Sequence, residues 1–386
     1  MSSAKDYATL ALEIHKKNQG KIGLAIKTPI SSRDDLSTSY TPGVGAVSQE
    51  IADHPEKVWE LTARRNLVAV VSDGSAVLGL GNIGPEASLP VMEGKAVLFK
   101  EFANVDAFPI VLDTRDPDEI ISIVEKISPG FGGINLEDIS APRCFYIEDE
   151  LKKRLSIPVM HDDQHGTAIV VLAGTINAFK LMNKTFETSS FVISGAGAAG
   201  VAIAKILNSQ GASDIVLTDS KGIISISRED LNESKKELLT FTNPNNKEGS
   251  LEDALRTSDV FIGVSKANLL TGEMIKTMND NPIIFALANP VPEIMPDEAK
   301  AAGAAVVATG RSDFPNQVNN VLAFPGVFRG AIDAHATTIT EDMKLAAAHA
   351  LANYVENPST QNILPDPLDK EVAYAVADAV SKSASF

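Results

Sequence analysis

The 386-residue sequence predicts an α/β protein whose second half is an open, parallel, doubly wound sheet. Three observations carry this. From residue 191 onward, short apolar runs alternate with helix-period segments, the rhythm of a parallel sheet with helices on both faces. A Gly-x-Gly-x-x-Gly run, Gly195 to Gly200, falls where one such strand gives way to one such helix. The length, at roughly 100–200 residues per domain, leaves room for a separate N-terminal unit.

The elements follow in order. Ser3 with Asp6 resembles a capping box and Gly20 is a natural stop, which frames a first amphipathic helix. Thr28 to Val47, rich in Ser, Thr, Pro and Gly, reads as loop. Asn66–Ser72 is a buried-strand candidate, and a second strand runs from Ala107 to Leu112. Between them lie a Gly-rich loop and a helix over Ala87–Lys100, so the first unit is itself α/β. Ile157–Met160 is a short apolar run, followed by helical spacing from Thr167 to about Leu181. Strands are then expected at Phe191–Ser194, Ile215–Thr218, Val260–Val264, Ile283–Leu287 and Ala305–Ala308. A last helix follows Pro365 and runs to about Ser381. The boundary falls near Met160. Residues 1–160 form an N-terminal domain and 161–386 a dinucleotide-type domain, whose final helices are expected to pack back on the first.

Composition excludes several functions. Hydrophobic residues at 44% and charged residues at 22% exclude wholesale disorder. A net charge of −16 argues against nucleic acid or an anionic membrane surface as partner, since both would repel the chain. No uncharged apolar window approaches the ~18 residues of a membrane span. Cys144 is the single cysteine, so no internal disulfide forms; it reads as a core residue, and the cytoplasm is the expected location.

The six-residue glycine pattern occurs twice, so context must decide between the copies. Gly195, Gly197, Ala198 and Gly200 lie between a strand and a helix, and a second strand ends at Asp219, about 20 residues on. The first glycine permits the turn, the second lets backbone approach a pyrophosphate, and the third allows close helix–strand packing. Free N–H groups at the helix start then hold phosphate. This predicts a nicotinamide dinucleotide. Asp219 suits the ribose hydroxyl of NAD, whereas Lys221 could answer the 2′-phosphate of NADP, and both stay open. The second copy, Gly79 to Gly84, runs straight into Pro85 with no acidic partner at the right distance, so it reads as a structural or substrate-lining loop.

Glu137-Asp138 follow a Gly-rich loop, and Asp162-Asp163 follow the run at 157–160. Carboxylates at strand ends can converge on a hard cation, so Mg²⁺ or Mn²⁺ is expected. His161 and His165 would suit zinc, but their neighbours are carboxylates. Tyr40 sits in the stiff turn Ser39-Tyr40-Thr41-Pro42-Gly43-Val44-Gly45. Lys95 adjoins an apolar run, where burial would lower its pKa toward that of a general base.

Eight ordered segments then resemble one family. They are SYTPGVG (39–45), SDGSAVLGLGNIG (72–84), MEGKAVLFK (92–100), NLEDISAPRCF (135–145), HDDQHGTA (161–168), FVISGAGAAG (191–200), ALANPVPEI (286–294) and ATGRSDFPNQVNNVLAFPGVFRG (308–330). The chain is similar to malic enzymes of the short bacterial and archaeal type. The resemblance implies oxidative decarboxylation of L-malate to pyruvate and CO₂ with NAD(P)⁺ and a divalent metal. It implies Tyr40, Lys95 and Asp162 as catalytic residues and Glu137, Asp138 and Asp163 as metal ligands, with Asp162 the acidic group beside them. It further implies Thr167 and Asn289 at the cofactor, and Asn289, Asn320 and the neighbouring Asn319 at the malate carboxylate. A homodimer is implied as well, and whether Tyr40 serves its own chain or the partner stays open. The group balancing malate's second carboxylate is not implied; Lys100 and Arg311 are the candidates. A malolactic enzyme, releasing lactate without net NAD(P)H, and a non-catalytic dinucleotide sensor are the alternatives.

Overall fold

The computed structural model describes residues 6–77 and 80–384. Its first stretch is helical and open. α1 (Tyr7–Asn18), α2 (Arg33–Ser39), α3 (Val44–Asp53) and α4 (Val58–Leu61) contain no buried residue. Asp6 caps α1 by accepting the Thr9 amide, while Ser3 lies outside the described residues. The expected loop at 28–47 instead carries α2 and the start of α3. Ser32 and Asp35 cap α2 reciprocally, a local signal that the Ser- and Pro-rich composition concealed. This arm touches the body at Lys21, whose amide donates to the Glu93 carboxylate and whose ammonium donates to the Pro90 carbonyl.

The body begins with β1 (Leu67–Ser72), α5 (Pro85–Ala103), β2 (Asp106–Val111) and α6 (Pro117–Ile127). It continues through β3 (Gly133–Leu136), α7 (Arg143–Arg154) and β4 (Val159–His161). These strands form a parallel sheet in the order β2-β1-β3-β4. β3 was not expected: four residues opening on glycine and carrying Asn135 give too little apolar alternation to stand out.

α8 (Asp162–Met182) leads into the second sheet. That sheet comprises β5 (Ser190–Ser194), α9 (Ala198–Ser209), β6 (Asp214–Asp219), β7 (Gly222–Ile223), α10 (Glu233–Leu238) and α11 (Leu251–Leu255). β8 (Val260–Gly263), α12 (Gly272–Ile275), β9 (Ile283–Ala286), α13 (Pro296–Ala301) and β10 (Val306–Thr309) complete it. The order β10-β9-β8-β5-β6-β7 is parallel except for the terminal β7. The chain leaves β5 to one side and returns to β8 on the other, so the crevice beyond β5 and β8 is the switch point where such sheets bind ligands.

α14 (Phe324–Asp333), α15 (Glu341–Tyr354) and α16 (Glu371–Ser383) close the fold, with α14 and α16 packing on α5 as expected. Phe99 of α5 meets Phe324 and Phe328 of α14 edge-on at 4.8 and 5.3 Å. One apolar cluster runs from Val68 and Phe99 through Ile169 to Phe191 and Val376, tying both sheets into one body. α8 is long and apolar enough to cross a membrane, with mean hydropathy 1.2, but 72% of that window is buried. α9 and α15 cover it, which makes it a core helix.

Candidate active site

β3 and β4 are neighbours in register, Leu136 opposite His161, so the residues following each strand emerge side by side. Those residues are Glu137-Asp138 and Asp162-Asp163. One carboxylate oxygen from each of Glu137, Asp138 and Asp163 lies within 4.8 Å of the others. Asp138 adopts φ 53°, a left-handed conformation that Asp tolerates, and its amide donates to Asp163 Oδ2 at 2.8 Å. An all-oxygen, mostly buried donor set of this spacing fits a hard divalent cation. The histidines do not join it as a pair. His165 turns away to Glu148 at 2.9 Å and Lys344 at 3.2 Å, because His161 ends a strand and the two never share a helix face.

Lys95 reaches the same place from α5. The buried side of that helix is Ser88, Met92, Lys95, Ala96, Phe99, Phe102 and Ala103, so a lysine occupies a core position of an amphipathic stripe. Its Nζ lies 2.5 Å from Asp162 Oδ2, 2.8 Å from Glu137 Oε1 and 4.1 Å from the centre of the Phe324 ring. Burial alone would lower its pKa, as the sequence suggested. Here Asp162 and Glu137 outweigh burial and hold the ammonium above its ordinary value. Asp162 also accepts from Asn320 Nδ2 at 2.5 Å, while Asn135 Nδ2 donates to Glu137 at 2.9 Å. Asp162 fits only because residue 166 is glycine: a Cβ there would meet Asp162 Oδ1 at 2.0 Å.

A cleft of about 600 Å³ opens on this cluster. Asp138, Asp163, Thr167, Asn289, Asn319 and Asn320 line it, and so do Gly197 and Ala198. Thr167 stands one helical turn after Asp163. Asn319 spends its oxygen capping the Val321 amide, whereas the Asn320 amide points to Asp162. Lys100 and Arg311 are elsewhere. Lys100 pairs with Asp106 at the exposed end of α5, and Asp313 grips Arg311, so neither candidate for the second carboxylate lines the cleft. Tyr40 does not line it either; it is 66% exposed on the N-terminal arm.

The glycine loop separates this cleft from a second one of about 970 Å³. Gly195 has φ 119°, and a Cβ on it would press Val264 O at 2.8 Å. A Cβ on Gly200 would strike Gly195 O at 1.8 Å, while one on Gly197 would meet nothing within 4 Å. Turn, close packing and open approach thus fall to the three glycines as the spacing predicts. Gly197 faces both clefts, so an extended dinucleotide can lie across the start of α9, with the adenosine end in the larger cleft. Asp219 lines that larger cleft. The other glycine loop serves α5: Gly84 caps the helix, Gly79 lies outside the described residues, and Ala76, just upstream of the loop, lines the smaller cleft.

Sequence reasoning missed Phe324 beneath Lys95, Asn135 beside Glu137, and Arg228 and Lys235 around Asp219. The first two sit in recognised segments without an obvious polar role. Arg228 and Lys235 come from a loop and a helix that only the fold brings to β6.

Residues 19–152 match the family model described as malic enzyme, N-terminal domain, and residues 164–385 that described as malic enzyme, NAD binding domain. The bifunctional malic/malolactic enzyme of Bacillus subtilis is 57% identical over 377 residues, covering 97% of this chain and 92% of that protein. The NADP-dependent malic enzyme of Halomonas elongata is 46% identical over 404 residues, covering 100% and 94%. The crystal structure of an NAD-dependent malic enzyme from Thermotoga maritima has a TM-score of 0.94 at 52% identity, covering 96% of this chain and 98% of that one.

Proposed function

The chain belongs to the malic enzyme family, and from that premise we propose that it oxidises and decarboxylates L-malate to pyruvate and CO₂, reducing NAD(P)⁺. One observation carries the reading. Asp138, Asp163, Asn320 and the start of α9 line one cleft, and directly behind them Glu137 completes the carboxylate trio while Lys95 is held by Glu137 and Asp162, so base, metal ligands and hydride acceptor site are gathered around one small substrate.

A divalent cation such as Mg²⁺ or Mn²⁺, held by Glu137, Asp138 and Asp163, supplies Lewis-acid polarisation of the C2 oxygen, and the dinucleotide supplies the hydride acceptor. Every other task falls to the chain. Asn289 and Asn320, with Asn319 beside them, offer amide N–H groups to a malate carboxylate. Asp162 aims Lys95 Nζ at the substrate and orients Asn320. Lys95 takes the C2 hydroxyl proton. It can do so only as the neutral amine, so the proton that Asp162 and Glu137 hold on Nζ would have to pass to solvent before that of the hydroxyl is taken. Tyr40 protonates C3 after CO₂ leaves. Thr167 and the loop Gly195–Gly200 seat the dinucleotide.

Residues 1–160 act as the malate and metal unit, and 161–386 as the dinucleotide unit with the closing helices. The working form is a homodimer in which the N-terminal arm lies on the partner. No described residue before Val68 is buried, yet Leu24, Ile26 and Tyr40 are 93, 81 and 66% exposed, a surface that suits a partner copy. The lone cysteine suits the cytoplasm.

The name of the Bacillus subtilis relative gives specific ground for a second outcome, release of lactate. Purified protein with L-malate and Mn²⁺ is given NAD⁺ or NADP⁺, and reduced nicotinamide, pyruvate and lactate are followed together. Pyruvate matching the absorbance rise establishes the malic reaction. Lactate with flat absorbance establishes the malolactic one instead. Absence of all three from folded, metal-supplied protein would overturn both.

A further inference from the structure

The carboxylate expected to receive the adenosine ribose is already occupied. Arg228 donates to both oxygens of Asp219, Nη1 to Oδ1 at 2.8 Å and Nη2 to Oδ2 at 3.0 Å. Lys235 Nζ adds a contact to Oδ2 at 2.6 Å, and the Lys221 amide donates to Oδ1 at 2.9 Å. With four donors on two oxygens and a side chain only 12% exposed, Asp219 has little capacity left for a ribose hydroxyl. The far side of Arg228 grips Asp230 through Nε at 2.9 Å and Nη2 at 2.8 Å, and Lys221 Nζ meets Asp230 at 2.7 Å. Three cations therefore face two carboxylates, and the cluster keeps one positive charge at the wall of the larger cleft. Glu248 and Lys266 also line that cleft and cancel each other.

Arg228 spends four N–H contacts on its two carboxylates, and Nη1 also faces the Gly222 and Ile223 carbonyls, so it is saturated. Lys221 and Lys235 are not: each ammonium has three N–H donors and one carboxylate partner. Both line the cleft, together with Ser220 and Ser227. We propose that this wall is a subsite for a 2′-phosphorylated ribose, so that NADP⁺ is the preferred dinucleotide. Arg228 and Lys235 cancel Asp219, and Lys221 and Lys235 hold the phosphate. The acidic residue at the end of β6 thus anchors basic side chains instead of selecting the unphosphorylated cofactor. The proposal rests on the dinucleotide reading of the glycine loop and narrows it.

Half-cofactors test it without turnover. The full chain is titrated with 2′,5′-ADP and with 5′-AMP by calorimetry. Tighter binding of 2′,5′-ADP by about ten- to hundredfold is expected, as for one or two charge-assisted hydrogen bonds. The gap should narrow as salt is raised. Lys221→Ala, at an exposed position, and Lys235→Ala should each weaken 2′,5′-ADP while leaving 5′-AMP nearly unchanged. Equal or tighter binding of 5′-AMP would overturn the subsite and leave the dinucleotide reading intact. Equal weakening of both ligands by Lys221→Ala would do the same. Binding of neither would overturn both readings.

Discussion

At Lys95 an ammonium 6% exposed lies between Asp162 and Glu137 with the Phe324 ring on its third side, so its removal leaves two carboxylates buried together. Two effects of Lys95→Ala must be separated. Breaking a buried ion pair by removing one partner costs about 3–5 kcal/mol of stability. Losing a general base costs about 10²–10⁴-fold in rate. Lys95→Ala is therefore expected to lower kcat by that factor while dinucleotide affinity holds, measured by fluorescence titration of reduced cofactor on protein shown folded by calorimetry. An equal loss of dinucleotide affinity would remove Lys95 from the chemistry. Cys144 gives the contrasting case of a reactive residue type made inert. It is fully buried in the apolar cluster with Ile120 and Ile147, and burial pushes its thiol up to about 12. At pH 8 the thiolate fraction is then about a thousandfold below that of an exposed cysteine. Iodoacetamide should leave the native protein unlabelled at pH 8 and label one site after denaturation; rapid native labelling would contradict the packing.

Among the elements, the helix that carries Lys95 is held by a helix pair from the far end of the chain. α14 crosses α16 closely because Gly326 and Gly330 present no side chain there. A Cβ on Gly330 would sit 2.4 Å from Ala377 O, and one on Gly326 would sit 2.5 Å from Ala373 O. Gly330→Ala forces the helices apart and is expected to cost about 1–3 kcal/mol. Gly130→Ala, where a Cβ meets nothing within 4 Å, should be near neutral. Thermal unfolding of the two variants checks this, and equal melting temperatures would refute the close crossing. This support was only partly legible in the sequence. The strands of the second sheet are short, apolar and bounded by turns, and the glycine loop carries its own geometry, so both were readable. β3 was not, because Gly133-Ile134-Asn135-Leu136 owes its strand to β1 and β4 on either side. Lys95 was readable as a residue whose spacing matches the buried stripe Met92, Ala96, Phe99. Its pKa direction was not, because the carboxylates that reverse it are 42 and 67 positions away. Asp219 was readable as a strand-end acid, but Arg228 and Lys235 depend on the path of the chain after β7.

For the molecule as a whole, the arm before β1 decides how many chains make one active site. Tyr40 is expected to protonate C3, yet in a single chain it stands on the exposed arm, outside the cleft that Asp138 and Asp163 line. If the arm lies on a second copy, each cleft is completed by Tyr40 of the partner subunit, and mixing two dead variants separates the possibilities. Lys95→Ala and Tyr40→Phe homodimers should each be nearly inactive. When they are exchanged at equal concentration, random pairing makes half of the dimers mixed. In a mixed dimer with crossed arms, one cleft has both Lys95 and the partner's Tyr40, and the other has neither. One site in two is then active in half of the dimers, so activity should recover to about a quarter of the wild-type value. If each chain supplied its own Tyr40, every cleft in the mixture would lack one of the two groups and activity would stay at the background of the single variants. Recovery must also require exchange, so mixing under conditions where size-exclusion chromatography shows no subunit exchange should restore nothing. Failure to recover after demonstrated exchange would return Tyr40 to its own chain and require the arm to fold over the cleft of that chain.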